Sequence, residues 1–185
     1  MHTMTEMTET QAVRAASRGD PEAVAHLYEL YHTGIFRFLY YRTGSQVYAE
    51  DLTSEVFLRM VRSLVGFQQG KGTFSAWLYQ IARRVLYDWY RSNAAHPLIE
   101  LAESHPDPAP QPDEAVNQKL DHAVLAEAIH FLTAEQQDVV IFRFINGFSL
   151  EMTAVAIHRS IDAVKGLQSR GLSKLREVLT ERGVL

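Results

Sequence analysis

Tyr79, Arg83, Tyr87 and Tyr90 fall at i, i+4, i+8 and i+11 in the stretch WLYQIARRVLYDWYRSN, residues 77–93. On a helix they form one stripe. Aromatic rings stack on unpaired bases at roughly 1–3 kcal/mol per base, and guanidinium groups hold phosphates. A stripe of this kind therefore suits a single nucleic-acid strand. A second reading stands beside it with equal weight. The tyrosines would cover the edge of a core, while Arg84, Asp88 and Arg91 pair on the surface. The other side of the same helix carries Trp77, Leu78, Ile81, Ala82, Val85, Leu86 and Trp89, which is a buried face.

A second group of residues lies in SLEMTAVAIHRSIDAVKGLQSRGLSKLREVL, residues 149–179. A short amphipathic helix, a three-residue turn and a longer basic helix are the parts of a helix-turn-helix. From Lys165 to Arg176 there are four basic residues and no acid. The N-terminal part of such a helix enters the major groove, where Lys and Arg read guanine. Arg159, Ser160, Asp162, Lys165, Ser169, Arg170 and Lys174 are the candidate contacts. The competing reading is an ordinary helical pair with a solvated basic face. Gly166 and Gly171 sit inside the longer helix, each costing about 1 kcal/mol against Ala. Close approach to a backbone would be a reason for them.

Enzyme chemistry has little support. The chain has no Cys, which removes disulfides, thiolate metal sites and Cys nucleophiles. The eight His are scattered, with no HxxH or HExxH pair. GFQQGKGT at 66–73 lacks the spacing, the final Ser or Thr after its Lys and the preceding strand of a phosphate loop. We expect no catalytic residue, no metal and no cofactor.

The elements that must position these residues are helical throughout. Residues 1–10 are expected to be disordered, with a short helix over about 10–18. Asp20-Pro21 is a helix start, and the helix behind it stops near Thr43-Gly44. A third helix covers about 46–65, with acids at its start (Glu50, Asp51, Glu55) and Arg59 and Arg62 at its end, as the helix dipole prefers. A loop at 66–72 precedes the helix of the tyrosine stripe. Five of the six prolines lie in HPLIELAESHPDPAPQP, residues 96–112, an acidic linker by composition. A helix over about 114–131 follows it. Thr133 to Gln136 reads as a capping box opening a helix to Ile145, and Ser149 and Ser160 cap the last two helices. No stretch alternates as a strand would.

Charge adds a constraint. Residues 1–93 hold 10 Lys/Arg and 9 Asp/Glu, residues 94–120 hold 1 and 5, and residues 121–185 hold 7 and 8. Two near-neutral modules flank an acidic middle. Phosphate contacts supply most sequence-independent DNA affinity, so such modules need a partner to bind DNA tightly. No apolar run reaches membrane-spanning length, and residues 1–20 lack a signal-peptide pattern. The expectation is a cytoplasmic protein without membrane insertion.

Taken together, LYELYHTGIFRFLYYR, AEDLTSEVFLRMVRSL, FSAWLYQIARRVLYDWYRSN and the segment LTAEQQDVVIFRFINGFSLEMTAVAIHRSIDAVKGLQSRGLSKLREVL resemble the bacterial RNA polymerase sigma factors of the extracytoplasmic-function (ECF) type, in the sigma-70 family. The resemblance implies an all-α chain of two small helical domains, a region 2 bundle over 11–93 and a region 4 helix-turn-helix over 119–185. A flexible acidic, Pro-rich linker over 94–118 would join them. It implies that Glu50, Asp51, Leu52, Glu55 and Phe57 dock on the clamp helices of the largest subunit of core polymerase. It implies that the 66–93 region recognises and melts a −10 element, with Tyr79, Arg83, Arg84, Tyr87, Trp89, Tyr90 and Arg91 in contact with DNA. The basic helix would read a −35 element, and an anti-sigma factor would be a further partner. The family usually has Asn where Arg84 stands, Glu-Ile at Met152-Thr153, Gly at His158 and often Arg at Leu167. The alternative is a helix-turn-helix regulator that binds duplex DNA without polymerase, and more distantly a helical adaptor or enzyme with no DNA role.

Overall fold

A computed structural model describes residues 7–67, 73–94 and 122–184. All regular structure among them is helical. Four helices form the first module: α1 (Glu9–Ala16), α2 (Pro21–Thr43), α3 (Gln46–Ser63) and α4 (Phe74–Ala94). The second contains α5 (the helical residues 122–129), α6 (Ala134–Val140), α7 (Leu150–Ile157) and α8 (Ile161–Glu181). The linker expected over 94–118 and the centre of the 66–72 loop fall outside the described residues.

Seven of the eight helices, all but α5, start where a side chain accepts a free backbone N–H. Asp20 accepts from Glu22 and Ala23 at the head of α2, with Pro21 behind it. Ser45, Thr73, Ser149 and Ser160 do the same for α3, α4, α7 and α8. Thr133 and Gln136 form a reciprocal capping box on α6. An equivalent box, Thr8 with Gln11, starts α1 at Glu9. The helix thus begins inside the segment expected to be disordered, because this box satisfies two N-terminal donors. Gly44 ends α2 with φ 68°, in the left-handed region that glycine enters without strain.

The helix expected from 134 to 145 has a break in its geometry. It is α-helical to Val140 and π-helical over Ile141–Ile145, closing with Asn146 N–H donating to the Ile141 carbonyl at 2.9 Å. The wider turn places Phe142 against Phe38 of α2, ring centroids 4.9 Å apart, and beside Phe148 at 5.3 Å. Tyr79 of α4 meets the same cluster edge-on, 5.3 Å from Phe142 and 4.8 Å from Phe148. The two modules therefore share a continuous core. Ile35, Phe38 and Leu86 from one and Ile129, Ile141 and Phe142 from the other are fully buried in it.

Gly171 is buried where α8 crosses α6. A Cβ there would lie 3.2 Å from Val140 Cγ2, so the helices pack closely and a side chain would make Val140 shift by a few tenths of an ångström. Gly166 has a different surrounding: the Arg170 guanidinium folds back over it, 3.3 Å from the Cβ position.

Between α7 and α8 the turn residue His158 adopts φ 55°, the one positive φ at a non-glycine position among the described residues. Strain at this turn is expected to be relieved by His158→Gly. The gain should be about 1 kcal/mol against the usual left-handed penalty, raising the thermal midpoint by about 2–4 °C in a calorimetric scan. Phe142→Ala should lower stability by about 3–5 kcal/mol through the cavity left between Phe38, Tyr79 and Phe148. A urea titration showing less than a third of that loss would contradict the shared core.

Candidate nucleic-acid interface

The tyrosine stripe is not offered to water. Tyr79 is 2 % exposed, and Arg83, Tyr87 and Tyr90 are half-buried. The second module lies over them. Of the two readings of the stripe, its burial in this conformation agrees with the one in which the tyrosines cover a core edge, and the physical reason is a polar seam between the modules, in which Arg42 Nε and Asn146 Oδ1 are left without a partner.

At the centre of the seam is Asp138 of α6, 0 % exposed. Arg42, near the end of α2 and itself 2 % exposed, bonds to one carboxylate oxygen through Nη1. Arg83 of α4 donates from Nε to the other at 2.9 Å. The Tyr87 hydroxyl stands 3.5 Å from that second oxygen. Both arginines reach further into the second module. Arg42 Nη1 donates to the Ala134 carbonyl at 3.1 Å, and Arg83 Nη1 to the Ala156 carbonyl at 3.3 Å. The Arg42 guanidinium lies over the Tyr87 and Tyr90 rings, 5.8 Å from each, and Arg83 lies over Tyr87 at 5.6 Å. The Tyr90 hydroxyl donates to the Arg42 carbonyl. Arg42 Nε is buried with no partner. Burial raises the Asp138 carboxyl pKa, while the charges of Arg42 and Arg83 pull the other way. Burial also pushes the Tyr79 and Tyr90 phenols up.

A second polar group closes the seam at its other end. Asn146 Nδ2 donates to the Gly34 carbonyl at 2.9 Å and to the Tyr79 hydroxyl at 2.5 Å. Gly34 is needed there, because a Cβ would strike the Tyr79 hydroxyl. Gln80 Nε2 donates to the Val155 carbonyl at 3.1 Å. The remaining stripe candidates lie outside this contact. Arg84 and Arg91 are exposed, and Trp89 is half-buried against Tyr48 and Tyr90, 5.1 Å from each. Asp88 does not bind Arg84; it joins Arg91 to Arg59 of α3, the latter at 2.8 Å. Those bonds hold its carboxyl below the usual range.

The basic helix keeps its outer face free of the seam. Arg159, Ser160, Asp162, Lys165, Ser169 and Arg170 are exposed, and Lys174 is half-buried. Local acids sit beside three of the cations: Glu135 on Arg159, Asp162 on Lys165 at 3.5 Å, and Glu177 on Lys174 at 3.0 Å. Such exposed pairs are weak and yield to phosphate at little cost. Leu167 is 8 % exposed and Thr153 is 0 %, so both serve the packing of α7 on α8.

On α3 the candidates divide. Glu50 and Asp51 are exposed and Glu55 is half-buried, while Leu52 and Phe57 are 8 % and 6 % exposed. Those two side chains belong to the core and are not presented to a partner in this conformation. The outer face of α3 is instead apolar at Val47, Leu58 and Val61, continued by Val65 in the 3-10 turn that follows it (Leu64–Gly66), with Asp51 and Ser54 between. The spacing 47, 51, 54, 58, 61, 65 is a helical stripe that could have been read in advance. Arg42 and Asp138 were also not singled out. Their signal is a charge on an apolar face: Arg42 follows Ile35 and Phe38 by seven and four residues, and Asp138 precedes Phe142 by four.

Among the described residues no helix is long and apolar enough to cross a membrane, and no cluster of three or more His, Asp or Glu could hold a metal ion. Comparison with known proteins matches residues 27–96 to Sigma-70 region 2 and residues 128–177 to Sigma-70 region 4. The chain is 34 % identical over 157 residues to the ECF RNA polymerase sigma factor SigX of Bacillus subtilis, covering 82 % of this chain and 80 % of that one. It is 33 % identical over 173 residues to the ECF RNA polymerase sigma factor BldN of Streptomyces coelicolor, covering 92 % of this chain and 66 % of BldN. Two solved structures share the fold: CnrH in complex with the cytosolic domain of CnrY (TM-score 0.71, 19 % identity, 92 % of this chain and 96 % of that one) and RpoE of Bartonella quintana in complex with the anti-sigma factor NepR (TM-score 0.67, 23 % identity, 84 % and 96 %). The two-module helical architecture, the helix-turn-helix and these matches together place the chain in the ECF sigma factors of the sigma-70 family, non-enzymatic initiation factors that direct RNA polymerase to promoters.

Proposed function

We propose that the chain docks on the clamp helices of core RNA polymerase through α3, recognises and opens a −10 element with residues 66–93, and reads a −35 duplex with the N-terminal half of α8. The observation that carries this reading is the division of surfaces. The duplex-reading face of α8 and the outer stripe of α3 are open, and the strand-following stripe of α4 is covered. A complete promoter contact therefore requires the second module to leave α4, and binding to a large partner is a means to drive that. The exposed apolar positions of α3, flanked by Glu50 and Asp51, suit a protein surface better than DNA. Working with polymerase puts the chain in the cytoplasm. An anti-sigma protein is a partner in keeping with RpoE, which was solved with NepR.

Modules this close to neutral give little phosphate-driven affinity. The free chain is expected to bind promoter DNA weakly at physiological salt and tightly once core polymerase is added. Nanomolar binding by the chain alone, in a gel-shift titration, would contradict the reading.

Lys165→Ala and Arg170→Ala should each cost about 1–3 kcal/mol of −35-dependent discrimination if they contact base edges, read as transcript yield in vitro from promoters with and without that element. Tyr87→Ala should reduce promoter opening more than polymerase binding. A normal permanganate footprint of the opened strand would remove Tyr87 from that role.

A further inference from the structure

We propose that Arg42 and Arg83, with the Tyr87 hydroxyl, form a binding site for a backbone phosphate of single-stranded DNA, and that Asp138 fills this site as an internal substitute in the closed molecule. The inference rests on reading α4 as the helix that follows an opened strand, and it adds the residue that guards it.

Among the described residues the carboxylate and carbonyl partners of the Arg42 and Arg83 side chains are Asp138, Ala134 and Ala156, all in the second module. Neither has a carboxylate partner in the first module. When α6 leaves, α2 and α4 retain two converging guanidinium groups with no counter-ion. Two tyrosines, Tyr87 and Tyr90, flank them, and Arg42 Nε is already unpartnered in the closed state. Two guanidinium groups held close together without a counter-ion favour an anion that both can bond. Asp138 shows its geometry: two oxygens of one anion, each taken by a different arginine.

A phosphodiester offers the same pair of unesterified oxygens. The tyrosines decide between anions. Tyr87 and Tyr90 lie along α4 beside the site, and ring faces next to a phosphate fit the bases that a nucleotide strand carries. A carboxylate-bearing peptide would use the arginines and leave the rings without a purpose. Asp138 and the strand therefore compete for one site, and the closed state is the molecule bound to its own anion.

The test uses the full-length chain and a short fluorescein-labelled oligothymidylate, followed by anisotropy. Asp138→Asn keeps the shape of the side chain and removes its charge. It should tighten strand binding by roughly tenfold, because the competent fraction rises and the apparent Kd falls in proportion. Adding Arg42→Gln or Arg83→Gln should cancel that gain. Each lost phosphate contact should also lower the slope of log affinity against log salt by about 0.7. Asn146→Ala loosens the far end of the seam without touching the site. It should also tighten binding, again only while both arginines are present, so it decides the matter if Asp138→Asn fails to fold by circular dichroism. No gain in either folded variant, or a gain that survives loss of both arginines, overturns the inference. So does a site that binds poly-glutamate and gains nothing for the oligonucleotide, which would assign it to an acidic protein. Wild-type transcription with core polymerase is run alongside. Promoter-specific starts without the binding gain would sink the phosphate site and leave the promoter reading intact. Absence of starts would sink the promoter reading, while the titration still decides the site.

Discussion

The burial of Asp138 between Arg42 and Arg83 is the constraint on which the arrangement of the two modules depends. A carboxylate taken fully out of water must be compensated, and removing one partner of such a group typically costs about 3–5 kcal/mol. Here the compensation comes from two helices of the other module. The ion pair therefore contributes little net stability but specifies one docking geometry against all others. The aromatic cluster of Phe38, Tyr79, Phe142 and Phe148 supplies the apolar area, and Asn146 fixes its edge. Removal of the charge network would leave the same greasy surfaces without a unique register.

Because the network is shared, it opens as a unit. Arg42 and Arg83 hold different oxygens of one carboxylate, so releasing either alone leaves Asp138 buried and half-compensated. Packed interfaces of this type have two arrangements rather than a continuum. Core polymerase, DNA and any regulatory protein would all act on that one equilibrium, each by its differential affinity for the two forms.

Much of the fold was legible in the residues, and the reasons are local. Asp20-Pro21, the Thr133–Gln136 box, Ser149 and Ser160 each fix a helix start through a side chain and a backbone N–H a few residues away, so nothing distant is needed to read them. The helix-turn-helix was legible for the same reason. The fate of the tyrosine stripe was not. Period 3.6 shows that Tyr79, Arg83, Tyr87 and Tyr90 share a face, but not what covers it, and rings that stack on bases also pack on Phe142 and Phe148. The partner of Arg83 lies 55 positions away, at Asp138. Such a pairing has no signature in spacing; its trace is an acid set in the apolar run DVVIF. Leu52 and Phe57 show the converse limit. Motif resemblance pointed to α3, while burial turned those two side chains inward. The π-helical turn at 141–145 was illegible because its cause is the tertiary fit of Phe142.

Gly171 has a mechanical consequence. At that position a Cβ on α8 would press on Val140 of α6, and Asp138 is only two residues from Val140. The helix proposed to read the −35 duplex and the helix that carries the buried acid are thus packed directly on each other. A twist imposed near Arg170 would bear on the element that holds the acid.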